Sequence, residues 1–187
     1  MHFLKNIISV LYSLIYFFIL KILVIKNFNY HFLQRFSPGA RISFYKNGKV
    51  YLGKAVRAHS GVKLRVMGNG ILKIGSNTAI NYGCIISCMG KITIGQGVEF
   101  GPNVLVYDHD HDVRAPKGLK QGLYNLGSVE IGENTWIGAN SVILKDTKIG
   151  DNCVIAAGSL VRGIIPDNTI FVQKRKSELI PIVKDEK

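Results

Sequence analysis

The sequence predicts an all-β solenoid, a parallel β-helix of short coils, behind an apolar N-terminal helix. Three observations predict it: a six-residue repeat, a greasy leader, and one stretch where the repeat fails. The repeat is clearest from Ile131, where aliphatic residues recur at Ile131, Ile137, Ile143, Ile149, Ile155 and Val161. Gly132, Gly138 and Gly150 follow three of them, and Thr135, Ser141, Thr147, Cys153 and Ser159 stand four places on. A period of six is neither the 3.6 of a helix nor the 2 of a plain strand. It suits one short strand and one turn per hexad, each hexad forming one side of a coil. The aliphatic residue points inward and stacks on its counterpart one coil along. Small residues, Gly and Asn fit the corners, where Gly and Asn tolerate positive φ. A sandwich of short strands would show spacings of about 8–12 that wander.

Earlier runs hold the same frame at Ile94, Phe100 and Val106, and at Ile74, Ile80 and Ile86. The step from Ile86 to Ile94 is eight, which implies a two-residue insertion. Before Ile74 the register weakens, although Val50, Val56 and Val62 are six apart. The expected organisation is a helix over 1–35, coils over 36–172 with a loop at 112–127, and a basic tail over 173–187.

Composition sets outer limits. Of the 187 residues, 47% are hydrophobic and 19% charged, which excludes a chain disordered throughout. Lys and Arg exceed Asp and Glu by 24 to 12, a net charge of +12 that suits an anionic partner. No basic stripe carrying aromatics or known motif supports nucleic acid as that partner. Three cysteines make no disulfide framework. Cys84 and Cys88 lack a second ligand pair, so no metal is expected.

The leader runs 14 residues without a charge, from Ile7 to Leu20, before Lys21. A span wants roughly 20 apolar residues, so this length also suits an interfacial or buried helix. Leu4, Ile7, Ile8, Leu11 and Ile15 share one helical face. Attachment to the inner face of the cytoplasmic membrane is expected, with packing against a sister subunit as the alternative. If the helix spans, Lys21, Lys26, Arg35 and Arg41 hold the coils in the cytoplasm.

The break in the repeat begins at Tyr107-Asp108-His109-Asp110-His111-Asp112 and lasts to Gly127. Interruptions in solenoids often lie on the binding face. Imidazole titrates near neutrality and suits the removal of a hydroxyl proton, with a carboxylate to orient it. A metal site and a plain polar turn remain alternatives for the same residues.

With these repeats the chain resembles the hexapeptide-repeat acyltransferases over about residues 42–170. The resemblance implies a left-handed β-helix of three hexads per coil, assembled as a homotrimer with sites between subunits. In galactoside and maltose acetyltransferases the catalytic His follows Pro-Asn-Val by seven positions. Here Pro102-Asn103-Val104 leads to His111, and the resemblance makes His111 the general base and His109 its support. Asn81 and Asp108 become acceptor contacts. Acetyl-CoA becomes the co-substrate, with Trp136, Ala139, Ala157, Arg162 and Lys174 on its side. The family's closing Gly-x-Pro-Ala-Lys/Arg turn is replaced by Val172-Gln173-Lys174-Arg175-Lys176. Leader, Asp-His-Asp-His and short tail together look like O-acetyltransferases of bacterial surface polysaccharides, which act on a sugar or oligosaccharide acceptor. N-acetylation of an amino nucleotide-sugar and a non-catalytic β-helical scaffold are the competing functions.

Overall fold

A computed structural model describes residues 2–174, 176 and 178, and the side chains of 2–5 are outside that description. Most of the expected basic tail therefore lies outside the described residues. Within them, one helix precedes a left-handed parallel β-helix, a three-sided prism of stacked coils.

Face A stacks Phe28–Tyr30, Lys49–Leu52, Ile71–Ile74, Lys91–Ile94 and Ser128–Ile131, all parallel. Face B stacks Arg35–Phe36, Arg57–Ala58, Ala79–Ile80, Glu99–Phe100, Trp136–Ile137, Val154–Ile155 and Ile170–Phe171. Face C stacks Arg41–Phe44, Lys63–Val66, Ile85–Cys88 and Leu105–Tyr107. The later strands Val142–Ile149 and Leu160–Ile165 start on face C and turn onto face A, bending at Asp146 (φ 61°) and Gly163 (φ 93°).

Each column is one hydrophobic stack. Ile74, Ile94, Ile131 and Ile149 run up face A, and Ile80, Phe100, Ile137 and Ile155 up face B, all buried. Burying such side chains contributes roughly 1.5–3 kcal/mol each. The corners between faces A and B place Asn77, Asn134, Asn152 and Asn168 at φ of 60°, 52°, 53° and 56°. At the B–C corner backbones touch: a Cβ on Gly138 would lie 2.5 Å from the Ala157 nitrogen.

Coils begin earlier than the sequence suggests. The helix ends at Leu23, and Phe28–Tyr30 and Arg35–Phe36 already belong to the first coil, so the boundary at 35 moves to about 24. The frame also persists before Ile74. Leu52, Ala58 and Leu64 pair with Ile74, Ile80 and Ile86, whereas Val50, Val56 and Val62 are a second buried set two residues ahead. Between faces C and A the early coils turn through four residues, 45–48 and 67–70, where the next coil uses only Met89-Gly90. The step of eight at Ile86 is thus the shorter form of this corner.

The helix, His2–Leu23, lies across the open end of the first coil. Ser13 Oγ accepts the Phe36 amide at 2.7 Å, and the Tyr16 hydroxyl accepts the Ile42 amide at 2.9 Å. Those amides sit at the end of the solenoid, where exposed strand groups would otherwise invite pairing with another chain. Phe17 is buried, its ring centroid 5.1 Å from Phe28 and 4.8 Å from Phe36.

Candidate active site

The excursion leaves the prism at the corner between faces C and A. It is a hairpin rather than an unframed loop: His109–His111 pairs antiparallel with Tyr124–Leu126, and a short 3-10 turn spans Gly118–Gln121. Asp108 anchors its root. The carboxylate is fully buried and accepts the Met89 and Gly90 amides at 2.8 and 2.9 Å, while Oδ1 lies 2.8 Å from His109 Nδ1. Burial and the adjacent Asp108 charge push the Cys88 thiol far up, so that thiol stays protonated.

The two histidines then part. His109 is folded inward with its side chain 10% exposed, its Nε2 free of hydrogen bonds among the described residues. His111 points outward, exposed, with its ring 4.6 Å from that of Tyr124. Tyr124 also meets His109 edge-on at 5.5 Å, so one phenol ring sits against both imidazoles. Lys145 lies beside them, 3.9 Å from Asp110 and 3.6 Å from Asp146 with only 15% of its side chain exposed. Arg162 is 4.0 Å from Asp146 at the same corner.

The remaining expected residues line the other side of face C, at the corner between B and C. Asn81 opens that corner in the third coil, its Oδ1 accepting the Tyr82 amide at 2.8 Å. Ala139 and Ala157 occupy the next place of the corner two and three coils on, with the Gly158 amide donating to the Ala139 carbonyl at 2.7 Å. Trp136 stands beside them, 56% exposed, and Lys174 follows the last strand of face B. At that place of the corner Ala139 is half-buried and Ala157 exposed, so the side chains there in the last two coils are small.

The structure therefore brings Asn81, Trp136, Ala139, Ala157 and Lys174 to one edge, and Asp108, His109, His111 and Arg162 to another. A four-residue strand such as Ile85–Cys88 separates the edges, about 13 Å at ~3.3 Å per residue. Asp108 does not reach solvent, so its expected contact with an acceptor gives way to an anchoring role. Sequence reasoning missed Tyr124 and Lys145. Tyr124 is placed by hairpin pairing with His111 across the 12 residues 112–123, and Lys145 looks like any corner residue of a hexad.

Residues 128–163 match the family model described as bacterial transferase hexapeptide (six repeats). WbbJ of Escherichia coli, which carries the provisional name of a lipopolysaccharide biosynthesis O-acetyl transferase, is 30% identical over 133 residues, 67% of this chain and 68% of its own length. The galactoside O-acetyltransferase of Lactococcus lactis is 38% identical over 96 residues, covering 51% of this chain and 46% of that one. Against that relative the chain spans about half the length. Among solved structures, AntD, an N-acyltransferase from Bacillus cereus in complex with dTDP and 3-hydroxybutyryl-CoA, superposes with a TM-score of 0.65 at 23% identity over 82% of each chain, a likeness of fold.

Proposed function

The chain belongs to the hexapeptide-repeat acyltransferases, and on that premise we propose that it moves an acetyl group from acetyl-CoA to a sugar hydroxyl during the making of a bacterial surface polysaccharide. The observation that carries this reading is the exposed imidazole of His111, projecting from a hairpin whose root is pinned by buried Asp108 and His109. A general base must touch the proton it takes, and of the two rings His111 is the open one.

In the reaction, His111 accepts the proton of the acceptor hydroxyl as its oxygen attacks the thioester carbonyl. The tetrahedral intermediate collapses, the C–S bond breaks, and the departing thiolate recovers the proton from the imidazolium. Asp108 and His109 position the hairpin. Asn81 holds the acceptor, and Trp136, Ala139, Ala157 and Lys174 line the acetyl-CoA side. A base of this kind contributes about 10²–10⁴-fold.

Asn81 and His111 lie on separate edges of one prism, which supports a homotrimer with each site shared by two copies. Around a ring such an interface is heterologous, one edge meeting a different edge of the next copy. Mixing tests it. Asn81→Ala and His111→Ala proteins, each inactive alone, are denatured together and refolded. About a quarter of wild-type activity should return, since that share of random heterologous interfaces pairs two intact edges. No recovery from well-folded mixed oligomers contradicts the shared site.

A second reading has one observation behind it. The 2.8 Å contact from Asp108 to Nδ1 of His109 would also orient His109 as the base. His109→Ala then abolishes transfer while His111→Ala retains most of it.

A further inference from the structure

The capping helix turns one face to the first coil and another away from it. Ser13, Tyr16 and Phe17 face the first coil, whereas Leu11, Ile15, Phe18, Ile22 and Leu23 are 56%, 65%, 64%, 63% and 71% exposed. An apolar stripe this long on one helix calls for a partner.

Beneath the helix lies a polar cavity of about 110 Å³, lined by Asn6 and Ser9 of the helix and by Arg35, Arg57, His59 and Tyr82 of the coils. That is several times the ~30 Å³ share of one water, room for a phosphate-sized group. Two apolar grooves open from the same place, one along Ile7, Val10 and Leu11, the other along Val10, Leu33 and Ala55. Arg35 borders all three spaces.

The charges here are unbalanced. Arg57 meets Glu99 at 3.2 Å, but no carboxylate lies within ion-pair distance of Arg35 among the described residues. Burial, and then the neighbouring Arg57, lower the Arg35 pKa, and His59 is likewise lowered by burial and by both arginines. A half-buried guanidinium without a counter-ion, at the mouth of an apolar groove, fits an anion that carries a hydrocarbon chain.

We propose that this end of the solenoid is a membrane-lipid phosphate site. The phosphate sits between Arg35, Arg57 and His59, the lipid chain follows the groove beside Val10 and Leu11, and the helix lies in the plane of the bilayer surface. The helix is seated on the first coil through Ser13 and Tyr16, so its outer stripe enters the headgroup layer while the prism stays in water. The site does not depend on which acceptor is acetylated: Arg35 stands on face B two coils below the coil of Asn81 and is not among the residues assigned to transfer.

The test is sedimentation of the full chain with vesicles of phosphatidylcholine alone or mixed with phosphatidylglycerol, beside calorimetry with inorganic phosphate. Binding should favour the anionic vesicles. Arg35→Gln should weaken it about five-fold, the fold-change that ~1 kcal/mol per basic side chain at an anionic surface implies. Arg35→Lys should retain most of it, and Phe18→Ser/Ile22→Ser should release the protein. Turnover of a soluble acceptor should be unchanged in all of these, which separates this site from the transferase reading. Equal binding to both vesicles, no effect of Arg35→Gln, or phosphate binding as tight as vesicle binding would overturn the proposal. So would conversion of Phe18→Ser/Ile22→Ser from oligomer to monomer, which would make the stripe a contact between copies.

Discussion

The carboxylate of Asp108, wholly out of solvent, lies 2.8 Å from Nδ1 of His109 and also accepts two backbone amides from the coil below. One side chain thereby ties the start of the excursion to Met89 and Gly90, and the hairpin bearing His111 grows from that knot.

Asp108→Ala should therefore be a stability variant before it is an activity variant. Each amide left without a partner costs about 1–3 kcal/mol. Urea denaturation should show a loss of that order, and a drop in transfer should accompany it. A variant as stable as the wild type would mean that the knot does not hold the hairpin.

At the corner between faces B and C, Gly138→Ala should destabilise although alanine suits most structures better than glycine. Its Cβ would press on the Ala157 nitrogen and the Ile155 carbonyl, 2.5 and 2.7 Å away. Backbone cannot yield as a flexible side chain can, and overpacking costs typically 1–3 kcal/mol. Thermal denaturation reads it directly. An unchanged midpoint would show that the coils are less tightly stacked than described.

Tyr16→Phe removes the acceptor of the Ile42 amide without removing the ring. A loss of about 1–3 kcal/mol is expected in urea. Ser13→Ala should do the same through Phe36. Hydrogen exchange at Phe36 and Ile42 should quicken in the respective variants; unchanged protection would indicate that the helix does not cap the coil.

His59 gives a pH dependence. Burial, then Arg35 and Arg57, hold its pKa below the ordinary value, so the folded chain resists a proton that the unfolded chain takes. Stability is therefore full above about pH 6.5 and falls as pH drops below it. The midpoint difference between about pH 7.5 and pH 5 should shrink in His59→Gln. A difference as large in the variant would assign the acid sensitivity elsewhere.

Much of this was legible in the residues. From Ile131 to Val161 every hexad is one face, so the period emerges without distortion. Earlier coils hid the frame because 45–48 and 67–70 widen one corner by residues that bury nothing large. The helix was readable as apolar, but its seat was not: Ser9 and Ser13 look like interruptions in a greasy run until Phe36 is found across from Ser13. The Asp-His-Asp-His run was visible as chemistry. Which imidazole turns inward depends on the Asp108 carboxylate entering the core, a matter of strand phase at the last residue before the prism is left. The separation of Asn81 from His111 is likewise a property of the coil, invisible to linear spacing.

The most direct measurement is free CoA release by the full chain from acetyl-CoA, across a panel of sugar nucleotides and oligosaccharide repeat units. Release should depend on one acceptor, fall by about 10²-fold or more in His111→Ala, and fall less in His109→Ala, with both variants folded. Turnover by His111→Ala at the wild-type rate would contradict the account.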